Sequence, residues 1–128
     1  MTTSKSALLQ PKFAMARGVL VLDENLYDLV EELEKRRFKV KLVLTGTPDE
    51  QIIDTLTHRI FVTNNPRDFV KQAPIEEFSI IDTTHTSKDA VTLATQISDA
   101  FIELELRSKQ PFLLTLRRDG KSTLKLIE

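Results

Sequence analysis

Acids and amides in this chain gather just after its apolar runs, where a folded protein can put them to chemical use. Asp23, Glu24 and Asn25 follow Val19-Leu20-Val21-Leu22, while Thr63, Asn64, Asn65 and Asp68 come after Ile60-Phe61-Val62. Asp82, Thr83 and Thr84 follow Ile80-Ile81, and Asp49 and Glu50 stand at the head of a helical pattern. Carboxylates brought from separate segments to one edge repel one another and raise one another's pKa unless a cation lies among them. The chain has no cysteine and two well-separated histidines, His58 and His85, so an ion would be held by oxygen. Mg²⁺ or Mn²⁺ suits such a set of strand-end and helix-start acids.

Most of these residues also have a plain structural reading. Asp49, Glu50 and Asp68 are acids in the first turn of a helix, where the helix dipole favours them. Asn25 reads as a helix cap, and His58 and His85 as surface or cap residues. Arg117 and Arg118 beside a hairpin turn read either as a charged edge that discourages strand pairing or as a phosphate contact. Asp23 is different, because an acid directly after an all-apolar strand has no packing role.

The elements that must position these side chains alternate along the chain. Val19 to Leu22 is wholly apolar, the pattern of a strand covered on both faces. "LYDLVEELEKRRF" places Leu26, Leu29, Val30, Leu33 and Phe38 at helical spacing, with Asn25 as its expected cap. "FKVKLVL" reads as a second strand. Thr47, Pro48 and Glu50 then form the pattern of a capping box opening a second helix. "RIFVTNN", "PRDFVKQA" and "FSIIDTTH" read as strand, helical turn and strand. Thr86 or Ser87 is expected to cap a long helix whose stripe is Ala90, Leu93, Ala94, Ile97, Phe101 and Leu104. Two last strand-like runs flank Asp119-Gly120, a preferred hairpin turn pair. The pattern predicts a three-layer α/β/α sandwich with a mostly parallel central sheet and an antiparallel C-terminal hairpin at one edge. In such folds ligands bind outside the carboxyl ends of the strands.

At 128 residues the chain suits one domain, expected over residues 18–128 after a flexible N-terminal extension at 1–17, with Met15 as an alternative start. There is no membrane-length apolar run and no signal-peptide pattern, so the cytoplasm is the expected compartment. A net charge of −1 gives no general attraction to nucleic acid, but six basic residues follow Leu106 (Arg107, Lys109, Arg117, Arg118, Lys121 and Lys125). That segment is locally basic. A long amphipathic helix leaves room for a homodimer through helix faces.

"VLVLDEN" at 19–25, "TPDEQIIDTLTHRIFVTNN" at 47–65 and "TNNPRDF" at 63–69 together resemble the PIN-like nucleases, in particular the minimal PIN-like proteins often encoded in toxin–antitoxin pairs. The resemblance covers residues 18–85. It implies a Mg²⁺- or Mn²⁺-dependent ribonuclease acting on single-stranded or structured RNA, with Asp23, Asp49 and Asp68 as catalytic, metal-binding acids and Glu50 assisting Asp49. Thr63, Asn64 and Asn65 would position phosphate or water, and an antitoxin protein is an implied partner; Arg117 and Arg118, beyond the stretch the resemblance covers, stay the candidate phosphate contacts read from the residues themselves. Many members carry an aspartate where this chain has Asn65, so the implied acidic set is a reduced one. Two other readings stay open: a non-catalytic interaction module on the same fold, and a phospho-accepting receiver domain, which would need an acid where the chain has Thr63.

Overall fold

The structure, a computed structural model, describes residues 19–86, 89–106, 109 and 111–127. The expected N-terminal extension, the alternative start at Met15, the cap at Ser87 and the basic Arg107 lie outside the described residues. The strands are β1 (Val19–Leu22), β2 (Lys39–Leu42), β3 (Ile60–Thr63), β4 (Ser79–His85), β5 (Phe112–Arg117) and β6 (Ser122–Leu126). Between them run α1 (Leu29–Lys35), α2 (Asp49–Asp54), α3 (Arg67–Val70), α4 (Ala73–Glu76) and α5 (Ala90–Glu103), with a 3-10 turn at Glu24–Leu26.

The six strands make one sheet in the order β2-β1-β3-β4-β5-β6. The first five are parallel and β6 returns antiparallel beside β5, so the expected mixed α/β sheet with a hairpin at one edge is present. Because side chains alternate across a strand, the apolar runs feed two cores. Leu20, Leu22, Ile60, Val62 and Ile81 pack with Leu29 and Leu33 of α1 and Leu93, Ile97 and Phe101 of α5. Val21, Phe61 and Ile80 pack the other way, with Ile52 of α2, Phe69 of α3 and Ala73 of α4. Each large apolar side chain buried this way contributes about 1.5–3 kcal/mol. The edge strand β2 is mostly exposed and carries Lys39 and Lys41, charges that oppose pairing with another chain.

Local chemistry closes α1 firmly. Arg37 adopts a left-handed φ of 73°, Phe38 N donates to Leu33 O (3.2 Å) and Arg37 N to Glu34 O (3.0 Å). This is a Schellman ending, with Phe38 and Leu33 as its hydrophobic contact. One turn earlier, Arg36 reaches Glu32 Oε1 (3.0 Å) and Thr95 Oγ1 (2.9 Å), tying α1 to α5. Hydrogen bonds from Arg36 and then Lys35 hold the Glu32 carboxyl below its ordinary range.

Three expected caps are replaced. Asn25 lies inside the 3-10 turn, whose N-cap is Asp23, and Asn25 Nδ2 instead donates to Asn64 Oδ1 (3.2 Å). Thr47 turns back to give its hydroxyl proton to Leu44 O (2.7 Å), so α2 starts behind Pro48 without a capping box. Asp89, not Thr86, caps α5, accepting from Thr92 N (2.9 Å) and Thr92 Oγ1 (2.6 Å). In each case the favoured residue type is present but another partner takes its side chain, a local carbonyl for Thr47 and a residue of another element for Asn25 and Thr86. Thr86 Oγ1, for instance, donates to Gln96 Oε1 (2.8 Å). The C-terminal turn forms as expected, with Gly120 at φ 86° and Arg117 N donating to Lys121 O (2.9 Å).

Two predictions follow from this packing. Ile97 is fully buried and Ile102 is 67% exposed on the same helix. Ile97→Ala should cost about 2–5 kcal/mol in urea unfolding, and Ile102→Ala no more than about 0.5 kcal/mol. The Asp89 carboxyl is held below its ordinary pKa by the Thr92 hydroxyl first and the Thr92 N–H second. A depressed carboxylate pKa stabilises the fold above the ordinary value, and that contribution is lost as pH falls through the lowered one. The melting-temperature gap between wild type and Asp89→Asn should therefore be widest near neutral pH and close in acid.

Candidate functional site

β2 and β3 flank β1 on opposite sides, and the connection after β1 runs to α1 on one face of the sheet while that after β3 runs to α3 and α4 on the other. The crevice outside the carboxyl ends of β1 and β3 is the switch point where ligands bind in open parallel sheets. Asp23 leaves β1 there, and Thr63, Asn64 and Asn65 end or follow β3.

A chain of hydrogen bonds sets the orientation of Asp23. Its Oδ1 accepts from Glu24 N (2.7 Å) and its Oδ2 from Thr63 Oγ1 (2.8 Å). Thr63 Oγ1 in turn accepts from Asn65 N (3.0 Å). One fully buried hydroxyl thus both fixes the acid and shapes the loop after β3. The backbone adds Asp23 N donating to Val62 O (3.0 Å), which carries the ladder one step past the strand. Thr63, expected to meet phosphate or water, is committed to Asp23.

Asp23, Asp49 and Asp68 line a single cavity of about 260 Å³, with Glu24, Asn25, Asn64 and Asn65 among the other polar groups around it. Asp49 arrives from the first turn of α2 and Asp68 from the first turn of α3, and both are exposed. Phe69, beside Asp68, packs its ring 4.6 Å from Phe61, which pins α3 to the sheet. Glu50 does not line the cavity. Sequence reasoning missed the cavity's back wall, formed by Val43, Leu44 and Ile52, because nothing in those residues themselves signals a site.

Other expected contributors lie apart. Arg117 and Arg118 line a separate cavity of about 560 Å³ with Asp82, His85, Thr115 and Asp119, farther along the same sheet edge. Asp82 is 8% exposed, and its Oδ1 accepts from both Thr84 N (2.9 Å) and the Thr84 hydroxyl. Arg117 Nε donates to Thr123 Oγ1 (3.2 Å) across the hairpin. His58, at a left-handed φ of 60°, sits 3.8 Å from Glu77 with both side chains largely exposed, away from the acids.

Among the described residues no three of His, Cys, Asp or Glu are grouped closely enough to hold a metal ion. The donors around the acid cavity are hard oxygens, and one carboxylate is already oriented. Such a set fits a largely hydrated cation held by one or two carboxylates, the usual manner of Mg²⁺, rather than a dehydrated ion in a closed cage. No helix among the described residues is long and apolar enough to cross a membrane. Compared with known proteins, the chain matches no family model, no curated protein and no solved structure.

Thr63→Val keeps the shape of the side chain and removes both of its hydrogen bonds. Asp23 Oδ2 and Asn65 N–H then lose their partner at part-buried positions, which should cost about 0.5–1.5 kcal/mol in urea unfolding.

Proposed function

We propose that this chain is a PIN-like, metal-dependent ribonuclease that hydrolyses RNA phosphodiester bonds in the cytoplasm. The helices on both faces of the sheet fit a three-layer α/β/α sandwich of that kind. The observation that carries the proposal is the meeting of Asp23, Asp49 and Asp68, from three separated segments, around one cavity at the switch point.

In this reading Asp23 is the lead ligand, because Thr63 and the Glu24 N–H hold its carboxylate in one orientation. Asp49 and Asp68, on exposed helix starts across the cavity, would hold the hydrated ion through its waters. When bound, a divalent ion supplies positive charge against the scissile phosphate and lowers the pKa of a water. The side chains of Asn64 and Asn65 line the same cavity and can donate to phosphate oxygens. Arg117 and Arg118, on the same sheet edge, offer bidentate contacts to a more distant phosphate of the strand. Placing the basic pair away from the acids keeps its guanidinium groups from competing with the ion for the carboxylates. The toxin role and an antitoxin partner rest on the resemblance alone.

The strand order 2-1-3-4-5 is also that of flavodoxin-like sheets, which include receiver domains. A receiver, however, needs a phospho-accepting acid at the end of β3, and the residue there is Thr63, fully buried and bonded to Asp23.

Mn²⁺ or Mg²⁺ should raise the melting temperature of the wild type, and Asp23→Asn should abolish that rise while leaving the unliganded fold intact. With the same metals, wild type should cleave single-stranded RNA and Asp23→Asn should not. Equal metal stabilisation of both proteins would sink the site assignment. Metal binding without any cleavage would favour a non-catalytic interaction module.

A further inference from the structure

Beside the acid cavity lies a larger one, of about 440 Å³, with a different chemistry. Its floor is apolar, built from Leu26, Leu29 and Leu93, and its polar groups are the hydroxyls and amides of Thr83, Thr84, Thr86, Asn25 and Asn64. Asn25 and Asn64 line both cavities, and the bond from Asn25 Nδ2 to Asn64 Oδ1 forms the partition between them. Two amides that share one hydrogen bond keep an acceptor on one partner and a donor on the other.

Thr83 stands out on this wall. It is 6% exposed, and alternation along β4 places it on the same face as the buried Ile81, toward α1 and α5. Its Oγ1 is the one buried side-chain nitrogen or oxygen without a hydrogen-bond partner among the described residues. The neighbouring hydroxyls are engaged: Thr84 Oγ1 with Asn64 O (3.0 Å) and Asp82 Oδ1, Thr86 Oγ1 with Gln96 Oε1. An unpaired buried hydroxyl is destabilising, and turning the Thr83 side chain so that Oγ1 meets a partner in the cavity would cancel that cost.

The charge pattern narrows the occupant. No lysine or arginine lines this cavity, and Asp28 does, so a phosphate or other anion is a poor fit. A flat, neutral group with an apolar face and a donor and an acceptor on its edge is a good one. Tyr27, the only tyrosine of the chain, falls in sequence between the lining residues Leu26 and Asp28 and is 67% exposed, though it does not itself line the cavity. An exposed aromatic near a polar cleft can stack on an unpaired base. The volume lies within the roughly 300–1,000 Å³ of small-molecule sites.

We infer that this cavity is a nucleobase subsite, holding one unpaired base of the nucleic acid whose adjoining phosphate lies across the Asn25–Asn64 partition in the acid cavity. The choice of a nucleobase rests on the nuclease reading above. The site itself needs neither metal nor the acids of the neighbouring cavity, because the leucines, threonines and amides that would hold the base are uncharged.

The test uses the full chain in EDTA, titrated with each of the four ribonucleosides and followed by amide chemical shifts and by melting temperature. At least one nucleoside should bind, with shifts at Asn64, Thr83 and Thr84, and Asp23→Asn should bind it as wild type does. Thr83→Val should leave the free protein as stable as wild type or more so, since it removes an unpaired buried hydroxyl, and should weaken the nucleoside by roughly fivefold, the value of one hydrogen bond. Tyr27→Ala, at an exposed position, should weaken it without unfolding the protein. Absence of binding by all four nucleosides would overturn the subsite, as would a Thr83→Val variant that loses stability yet binds normally. RNA cleavage without nucleoside binding removes the subsite alone, and nucleoside binding without cleavage removes the nuclease reading alone.

Discussion

Leu20, Val21 and Leu22 are each no more than 2% exposed, and a strand with no solvent face has no lateral position for a polar side chain. That constraint arranges the rest of the molecule. β1 and β3 need apolar cover on both sides, so α1 and α5 pack on one face and α2 to α4 on the other. Polar residues are then displaced to the strand ends. Because the chain leaves β1 for α1 on one face and β3 for α3 on the other, the loops at their carboxyl ends diverge and leave a cleft. The acids occupy the place that the packing leaves for them.

Within that cleft the division of labour is electrostatic. Asp23 is held by two donors, whereas Asp49 and Asp68 stand on exposed first turns. The guanidinium groups of Arg117 and Arg118 lie in a different cavity, next to Asp82 and His85. Between the two zones β4 runs on past β3 with an irregular register between Asp82 and His85, and this stretch sends Asp82 and Thr83 to opposite faces. One short length of strand thereby contributes to two cavities of unlike charge.

The elements were legible wherever periodicity was strong. The apolar runs at Val19 and Ile60, the long helix stripe through Ile97 and Phe101, and the Asp119-Gly120 turn are all present where the pattern put them. Caps were less legible because they depend on competition. Asn25, Thr47 and Thr86 are good cap formers in isolation, but each has a better partner in Asn64, Leu44 or Gln96. Of the candidate site, Asp23 was singled out from its place after a buried strand, although the structure also gives it a capping role at the 3-10 turn, and Asp49 and Asp68 read equally well as first-turn helix acids. The committed hydroxyl of Thr63 and the threonine-lined cavity could not be read, because residue type says nothing about which neighbour a hydroxyl will find. The run Thr83-Thr84-His85-Thr86 was the only available hint, and it reads equally well as a strand end.

The bond between Thr63 and Asp23 joins residues 40 positions apart. During synthesis Asp23 is made well before the hydroxyl that will hold it, and pairing β1 with β3 requires a long loop to close first. Such non-local contacts form late, after the entropy of closing the intervening chain has been met. The acid therefore acquires the Thr63 half of its support only once β1 and β3 have paired. A partly made chain carries the chemical groups of the site without their geometry, so competence arrives together with the fold.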